Sequence, residues 1–437
     1  MDLNIVKKIL DDESFIEISE LYEPSVHIGY GTINSKLVYL IVESNSIINR
    51  RYVDKVTSLY DKAVQMGAPV LYFIDNVGVD INDNCSLSYY GNILNKQNIA
   101  SGVIPQIAIV TGNCGGGMSI IANACDFVYI DKNNGRLWSI PPVSINNNIN
   151  NDLSLAENVQ KTMLVDNILE SNELHNVIRE LMKYLPSNYD DNDYIECDDD
   201  LNRETVDFYN KNTIECIKEI ADYNQYLEIK TEFGKGVTTG FIKLNGQTIA
   251  VLGNVSKEKK VCKNGLRKIK KFITFADSFS IPILTISDVV EFKKDDNNDL
   301  LVSLPASRVA FSYVNSTVPK VTLIKNAVGV PGLIMGSKSL NVDMVYAFEN
   351  SNISIMNEKV LAEILYSSQL ETVEDKTKFL EEKSKEIKNE NNAVNAANNY
   401  LIDSIIKDNE VRQMVIATFE MLFTKRVNKI NKKHGAF

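Results

Sequence analysis

The chain has 437 residues, 44% of them apolar and 24% charged, with 46 basic against 57 acidic side chains and a formal charge of −11. That composition excludes a wholly disordered, collagen-like or disulfide-scaffold chain. It also argues against a general nucleic-acid or anionic-membrane binder.

The length suits two or three domains. No apolar run reaches the ~20 residues that a membrane span needs. The N-terminal stretch MDLNIVKKILDDESFIEI has no signal-peptide core, so a cytoplasmic location is expected. Six cysteines (Cys85, Cys114, Cys125, Cys197, Cys216, Cys262) form no CxxC pair, so no metal site is expected. The three histidines, His27, His175 and His434, carry no motif. Chemistry built on backbone dipoles, carboxylates or a borrowed cofactor is therefore favoured over imidazole chemistry.

In chain order, Gly29-Tyr-Gly-Thr-Ile-Asn34 leads into the apolar run Leu37–Val42, and the spacing of RRYVDKVTSLYDKAVQM (50–66) predicts a helix. GAPVLYFIDNVG (67–78) reads as a strand closed by Asp75. Ile104-Pro-Gln-Ile-Ala-Ile-Val110 reads as the next strand. It is followed by a glycine turn and by Asp126, which opens a further run, FVYI. SINNNINND (144–152), low in complexity, predicts an exposed loop, and the segment after Pro142 is short. HNVIRELMKYL (175–185) predicts a helix, and the acidic stretch 190–200 a solvated linker.

The same order then recurs. Gly240-Phe-Ile-Lys-Leu-Asn-Gly246 leads into Thr248–Leu252, and LRKIKKFITFADSF (266–279) predicts a helix. SIPILTISDVVE (280–291) carries Asp288, Val318-Pro-Lys-Val-Thr-Leu-Ile324 forms a strand, and Asp343 opens DMVYA. The offsets of the four matches are 211, 213, 214 and 217 residues. So long a period means one domain written twice rather than a solenoid. We expect an α/β fold of two tandem copies, divided into 1–205 and 206–437, with helical extensions over 358–430. Within these, VRQMVIATFEMLFTKRV has spacing suited to packing.

The sharpest local feature is Gly112-Asn-Cys-Gly-Gly-Gly-Met118, between a buried strand and SIIANAC. Consecutive glycines leave backbone N–H groups uncovered, and at a helix start such amides point at developing negative charge. Each such donor can stabilise an oxyanion by ~3–4 kcal/mol; the plainer reading is a tight turn that needs glycine for packing. An offset of 214 carries Gly115, Gly116 and Gly117 onto Gly329, Val330 and Pro331, so the strand-to-turn site exists in both copies. Two such sites suit a reaction with two charged oxygens, one on each of two substrates.

Several long segments, in order, resemble the carboxyltransferase subunit of biotin-dependent acyl-CoA carboxylases and acyl-CoA decarboxylases. They are LDDESFIEI (10–18), LSYYGNIL (87–94), SGVIPQIAIVTGNCGGG (101–117), YLPSN (184–188), TTGFIKLNGQ (238–247), IPILTISDV (281–289), STVPKVTLI (316–324) and KKHG (432–435). The resemblance implies two crotonase-like domains, with the CoA thioester held mainly by the first and biotin, on a partner carrier protein, by the second. It implies an active site at the interface of a homo-oligomer (dimer to hexamer), and further partners in biotin carboxylase or decarboxylase subunits. It also implies an acyl-CoA of the propionyl or methylmalonyl type.

Carried over residue by residue, the enolate-binding amides are Gly116 and Gly117, flanked by Gly115. The ureido-binding amides fall on Val330 and Pro331, preceded by Gly329, and Leu333 matches the position that shapes the acyl pocket. The chain departs from the family at Val328-Gly-Val-Pro331, where proline has no N–H. It departs again at Asp288-Val-Val-Glu-Phe292, Asn76-Val-Gly-Val-Asp80 and Leu304-Pro305-Ala306, where a family arginine and histidine are absent. Two other readings stay open: a weakened or non-catalytic assembly subunit, and a biotin-independent crotonase-type enzyme with a carboxylate near Gly116.

Among other candidates, Cys114 reads as a buried small hydrophobe rather than a nucleophile. Asp75 and Asp288 are each either a general base or a turn cap, and His27 and His175 are structural or exposed. The lysines of 255–271 are either a contact for phosphates or an acidic carrier, or a solvated helix face.

Overall fold

In the computed structural model, which describes residues 6–140, 153–191, 194–294 and 299–427, the chain forms two compact units. The first comprises residues 1–193 with 229–233, the second 194–228 with 234–437. The sequence reading divides the chain at 205/206. The units divide at 193/194, and 229–233 returns to the first. There Lys230, almost wholly buried, pairs with Asp166 at 2.9 Å. The asparagine-rich 144–152, Pro142, His434 and KKHG lie outside the described residues.

The first unit contains β1 (Ile16–Ile18), β2 (Val26–Ile33), β3 (Lys36–Glu43), β4 (Ser46–Ile48), α1 (Arg50–Met66), β5 (Val70–Val79), α2 (Ser86–Ala100), β6 (Gln106–Gly115), α3 (Gly117–Ala124), β7 (Phe127–Asp131), β8 (Arg136–Trp138), β9 (Asn167–Leu169) and α4 (Leu174–Tyr184). Its main sheet runs β1-β2-β3-β5-β6-β7-β9. The first two pairings are antiparallel and the rest parallel. Val70–Ile74 and Gln106–Val110 are continuously buried, as parallel strands covered on both faces require. Helix α1 starts where Asn49 accepts the Tyr52 N–H at 2.9 Å and stops at Gly67 in the left-handed region. It buries Tyr52, Val56, Leu59, Tyr60 and Ala63.

The second unit contains α5 (Thr213–Ile220), β10 (Leu227–Glu228), β11 (Val237–Leu244), β12 (Gln247–Asn254), β13 (Lys260–Val261), α6 (Lys263–Ser278), β14 (Ile283–Val289), β15 (Glu291–Phe292), α7 (Ser303–Asn315), β16 (Lys320–Val328), α8 (Gly329–Ile334), β17 (Met344–Ser354), α9 (Glu358–Leu365), α10 (Lys376–Glu390), β18 (Ser404–Ile406) and α11 (Val411–Leu422). Its sheet, β10-β11-β12-β14-β16-β17-β18, repeats the order and the strand senses of the first. The repeated Gly29 and Gly240 acquire a reason: a Cβ on either would lie 2.5 Å from the Ile16 carbonyl or 2.1 Å from that of Leu227. Both permit an edge strand to close on the hairpin.

The C-terminal region is helical as expected, but it also contributes β18, which pairs in parallel with Tyr346–Phe348. Helix α11 buries Val411, Val415, Ile416 and Phe419 in the core of the second unit. Lys268 is buried and donates to the Val237 carbonyl at 2.9 Å, so the 255–271 lysines are not a uniformly solvated face.

Candidate active site

In the first unit β6 delivers the glycine run to the start of α3. Gly116 adopts φ 58°, ψ −125° and caps the helix, a conformation that side chains resist. The neighbouring glycines make room rather than bend. A Cβ on Gly112 would lie 2.0 Å from the Asp75 carboxylate, one on Gly115 2.5 Å from the Trp138 indole, and one on Gly117 2.7 Å from the Tyr90 ring.

Asp75 is a brace. Its Oδ1 accepts the Asn113 N–H at 3.1 Å and its Oδ2 the Asn45 N–H at 3.0 Å, the contacts of the cap reading.

The three glycines do not offer three free amides. The Gly116 N–H donates to the Trp138 carbonyl at 2.9 Å, and the Gly116 carbonyl accepts from Ser119 Oγ at 2.8 Å. Among the described residues the N–H groups of this turn that lack a partner belong to Gly117 and Met118. Of the expected donors Gly116 and Gly117, the first is already engaged because β8 pairs with the end of β6, whereas Gly117 is both unpartnered among the described residues and only half-buried; Met118 is fully buried.

Glu43, at the end of β3, lies fully buried close to this turn. It accepts the hydroxyls of Tyr52 and Tyr72 and the Asp75 N–H at 3.1 Å. Burial raises its pKa to about 7 against the pull of those donors. Sequence reasoning passed over Glu43, Tyr90 and Trp138; the one available signal was a carboxylate closing the apolar run LVYLIVE. Cys114 is fully buried, and burial pushes its thiol well above the ordinary range, so it is no nucleophile. His27 pairs with Glu17 at 2.6 Å, away from the glycine run in sequence and sheet.

In the second unit β16 ends at Val328, Gly329 takes φ 64°, and α8 follows. Before the bulges Val110 matches Ile324, an offset of 214. After them Asn76 faces Cys114 as Val289 faces Ala327, an offset of 213. The equivalence is therefore Gly116 with Gly329, both at positive φ, Gly117 with Val330, and Met118 with Pro331. The expected register of 214 is corrected by one residue, because the bulge in β6 holds one residue more than that in β16.

Of the two equivalents to the free amides, Val330 keeps its N–H and Pro331, buried, has none. Val330 is 55% exposed and Leu333 43%. Asp288 accepts from Asn326 Nδ2 at 2.7 Å and from Lys259 at 3.1 Å, again as a brace. Gly329, Val330 and Pro331 line a cavity of about 690 Å³ whose walls include Phe292, Ile355 and Val360, with Lys293 and Lys294 among its lining residues. Leu333 does not line it.

Residues 42–437 match the model of a family described as the carboxyl transferase domain. The chain belongs to that family. It is similar to the putative propionyl-CoA carboxylase beta chain of Bacillus subtilis (28% identity, 98% of this chain and 91% of the relative). It is similar also to the methylmalonyl-CoA decarboxylase subunit alpha of Veillonella parvula (29%, 98% and 91%) and to the propionyl-CoA carboxylase beta chain of Cereibacter sphaeroides (32%, 93% and 84%). Among solved structures, a transcarboxylase 12S determined as a hexamer assembly with hydrolysed methylmalonyl-coenzyme A superposes with a TM-score of 0.93. It shares 25% identity, over 100% of this chain and 92% of that one. This carboxyltransferase thus has the fold the resemblance implied.

Proposed function

We propose that this carboxyltransferase moves a carboxyl group between biotin on a partner carrier protein and the α-carbon of a short-chain acyl-CoA, of the propionyl or methylmalonyl type. The observation that carries the reading is the turn at 116–118. A buried strand, a braced Asp75 and a left-handed Gly116 present the Gly117 amide, half-buried and with no internal partner among the described residues, at the start of α3.

A preorganised N–H donor suits the oxygen of a thioester whose α-carbon is becoming an enolate, since it needs no reorganisation when charge develops. Gly115 and Gly116 hold the turn, and Leu333 is the residue we assign to the acyl pocket. The carboxyl donor would be biotin, which supplies a transferable carboxyl on its ureido nitrogen. The second-unit cavity fits such a ring: it is apolar-walled, of ligand size, and keeps the Val330 N–H beside Pro331. Gly329 shapes that turn through its positive φ. Following the family resemblance, the two turns that act together belong to neighbouring subunits of a homo-oligomer.

The test is transfer of labelled carboxyl from a biotinylated carrier to acetyl-, propionyl- and butyryl-CoA. Transfer to one or more of them is the expected result, and none with any thioester would sink the reading.

Pro331 favours a second reading, an assembly subunit with weakened catalysis. Strong activity gained on replacing Val330-Pro331 by Gly-Ala would support it. The biotin-independent crotonase reading finds no support near Gly116, because Asp75 spends both oxygens on backbone amides and Glu43 is sealed in the core.

A further inference from the structure

Pro331 removes an amide from a turn whose first-unit counterpart keeps two. The cavity beside that turn has two cations among its lining residues, Lys293 and Lys294. Of these, Lys294 pairs with Glu291 at 3.3 Å, and Glu291 is shared at 3.3 Å with Lys260. Lys259, which does not line the cavity, is held by Asp288 at 3.1 Å. Lys293 differs. It is exposed, its backbone is pinned by its N–H donating to the Val261 carbonyl at 2.9 Å, and its ammonium has no partner among the described residues. The turn residues Gly329, Val330 and Pro331 line the same cavity as Lys293. An ammonium donates charge-assisted bonds roughly twice as strong as those of a neutral amide and, on a flexible stem, does not need the fixed geometry of a backbone N–H.

We propose that Lys293 supplies to the second cavity the positive contact that Pro331 cannot, so that an oxygen bound there meets one backbone amide, that of Val330, and one side-chain cation. The inference rests on the carboxyltransferase reading for the identity of the ligand, a cyclic urea whose oxygen gains negative charge during transfer. It assigns Lys293 as a substrate-contacting residue of this chain. A second consequence is electrostatic. A cation in the cavity attracts an anionic, carboxylated urea more than a neutral one, an interaction that added salt weakens.

The experiment is a double-mutant cycle on the full chain, using Lys293→Met, Pro331→Ala and both together. The probe is biotin methyl ester, which has the ureido ring and no free carboxylate, and its dissociation constant is read by ligand-observed NMR. Carboxyl transfer is measured in parallel. Lys293→Met is expected to weaken probe binding about tenfold in the Pro331 protein and less than about twofold once Pro331→Ala restores the amide, a coupling of at least about fivefold. Lys293→Arg should retain binding.

Equal losses in both backgrounds, or no loss in either, overturn the role of Lys293. Probe binding that shows the expected coupling but no carboxyl transfer to any thioester overturns the carboxyltransferase reading and leaves Lys293 in place. Absence of probe binding in every variant overturns the inference. Lys293 is exposed, so an unchanged circular dichroism spectrum is expected for its variants, and the binding losses are then read as local.

Discussion

The carbonyl of Trp138 accepts the N–H of Gly116 at 2.9 Å, and through that bond the only tryptophan of the chain fixes which amides of the glycine run remain free. Gly117 and Met118 remain, with the Tyr90 ring lying where a Cβ on Gly117 would be. The turn is therefore set by β8 and α2 as much as by its own glycines.

Gly117→Ala should push the Tyr90 ring aside or rotate the turn, since its Cβ would come within 2.7 Å of that ring. Loss of one preorganised donor corresponds to a fall in kcat of roughly 100- to 1,000-fold. We expect a fall of that order in carboxyl transfer with a melting temperature within a few degrees of wild type. A variant retaining more than half of the wild-type kcat would show that this amide is not used.

Pro331→Ala returns an N–H to the second turn without changing its neighbours. With Lys293 in place of the missing donor, carboxyl transfer at saturating acyl-CoA should rise by less than about threefold, well short of the roughly 100-fold or more that one uncompensated donor is worth. A rise of roughly 100-fold or more would show that nothing in the chain compensates for it. The measurement is kcat with a biotinylated carrier, alongside KM for the thioester, which should not move.

Glu43 has a folded-state pKa of about 7, raised by burial above its ordinary value of 4.5. A raised carboxyl favours the protonated form in the folded chain. Its contribution to stability is therefore complete below about pH 4.5 and is lost as pH rises through about 7. Glu43→Gln stays neutral, and its amide can donate to the tyrosine hydroxyls while its oxygen accepts the Asp75 N–H. We expect the variant to flatten the decline in melting temperature between pH 5 and pH 8. A decline as steep as that of wild type would place its cause elsewhere.

Lys230 ties residues 229–233 to the first unit through Asp166 at 2.9 Å and the Met163 and Val165 carbonyls at 2.9 and 3.2 Å. Both charged side chains are almost wholly buried. Removing one partner of such a pair typically costs about 3–5 kcal/mol because the other charge stays buried and unpaired. Lys230→Ala should lower the denaturation free energy by that order in chemical unfolding. Lys230→Ala combined with Asp166→Asn should recover part of it. A loss below about 1 kcal/mol would mean that water reaches Asp166.

The sequence by itself determined the duplication, the order of strands and helices, the glycine turn and the missing N–H at Pro331. Each of these is written in local pattern: buried parallel strands read as unbroken apolar runs, and a proline lacks its donor wherever it sits. Only the tertiary structure decided which amides are free, because Gly116 loses its N–H to a strand that is 22 positions away in sequence at Trp138. It also decided the register between the copies, since the β6 and β16 bulges differ by one residue and a bulge leaves no periodic signal. The burial of Glu43, the bracing of Asp75 and the placing of Lys293 on the cavity that Pro331 lines are likewise products of packing. They depend on segments that meet only when the sheet has formed.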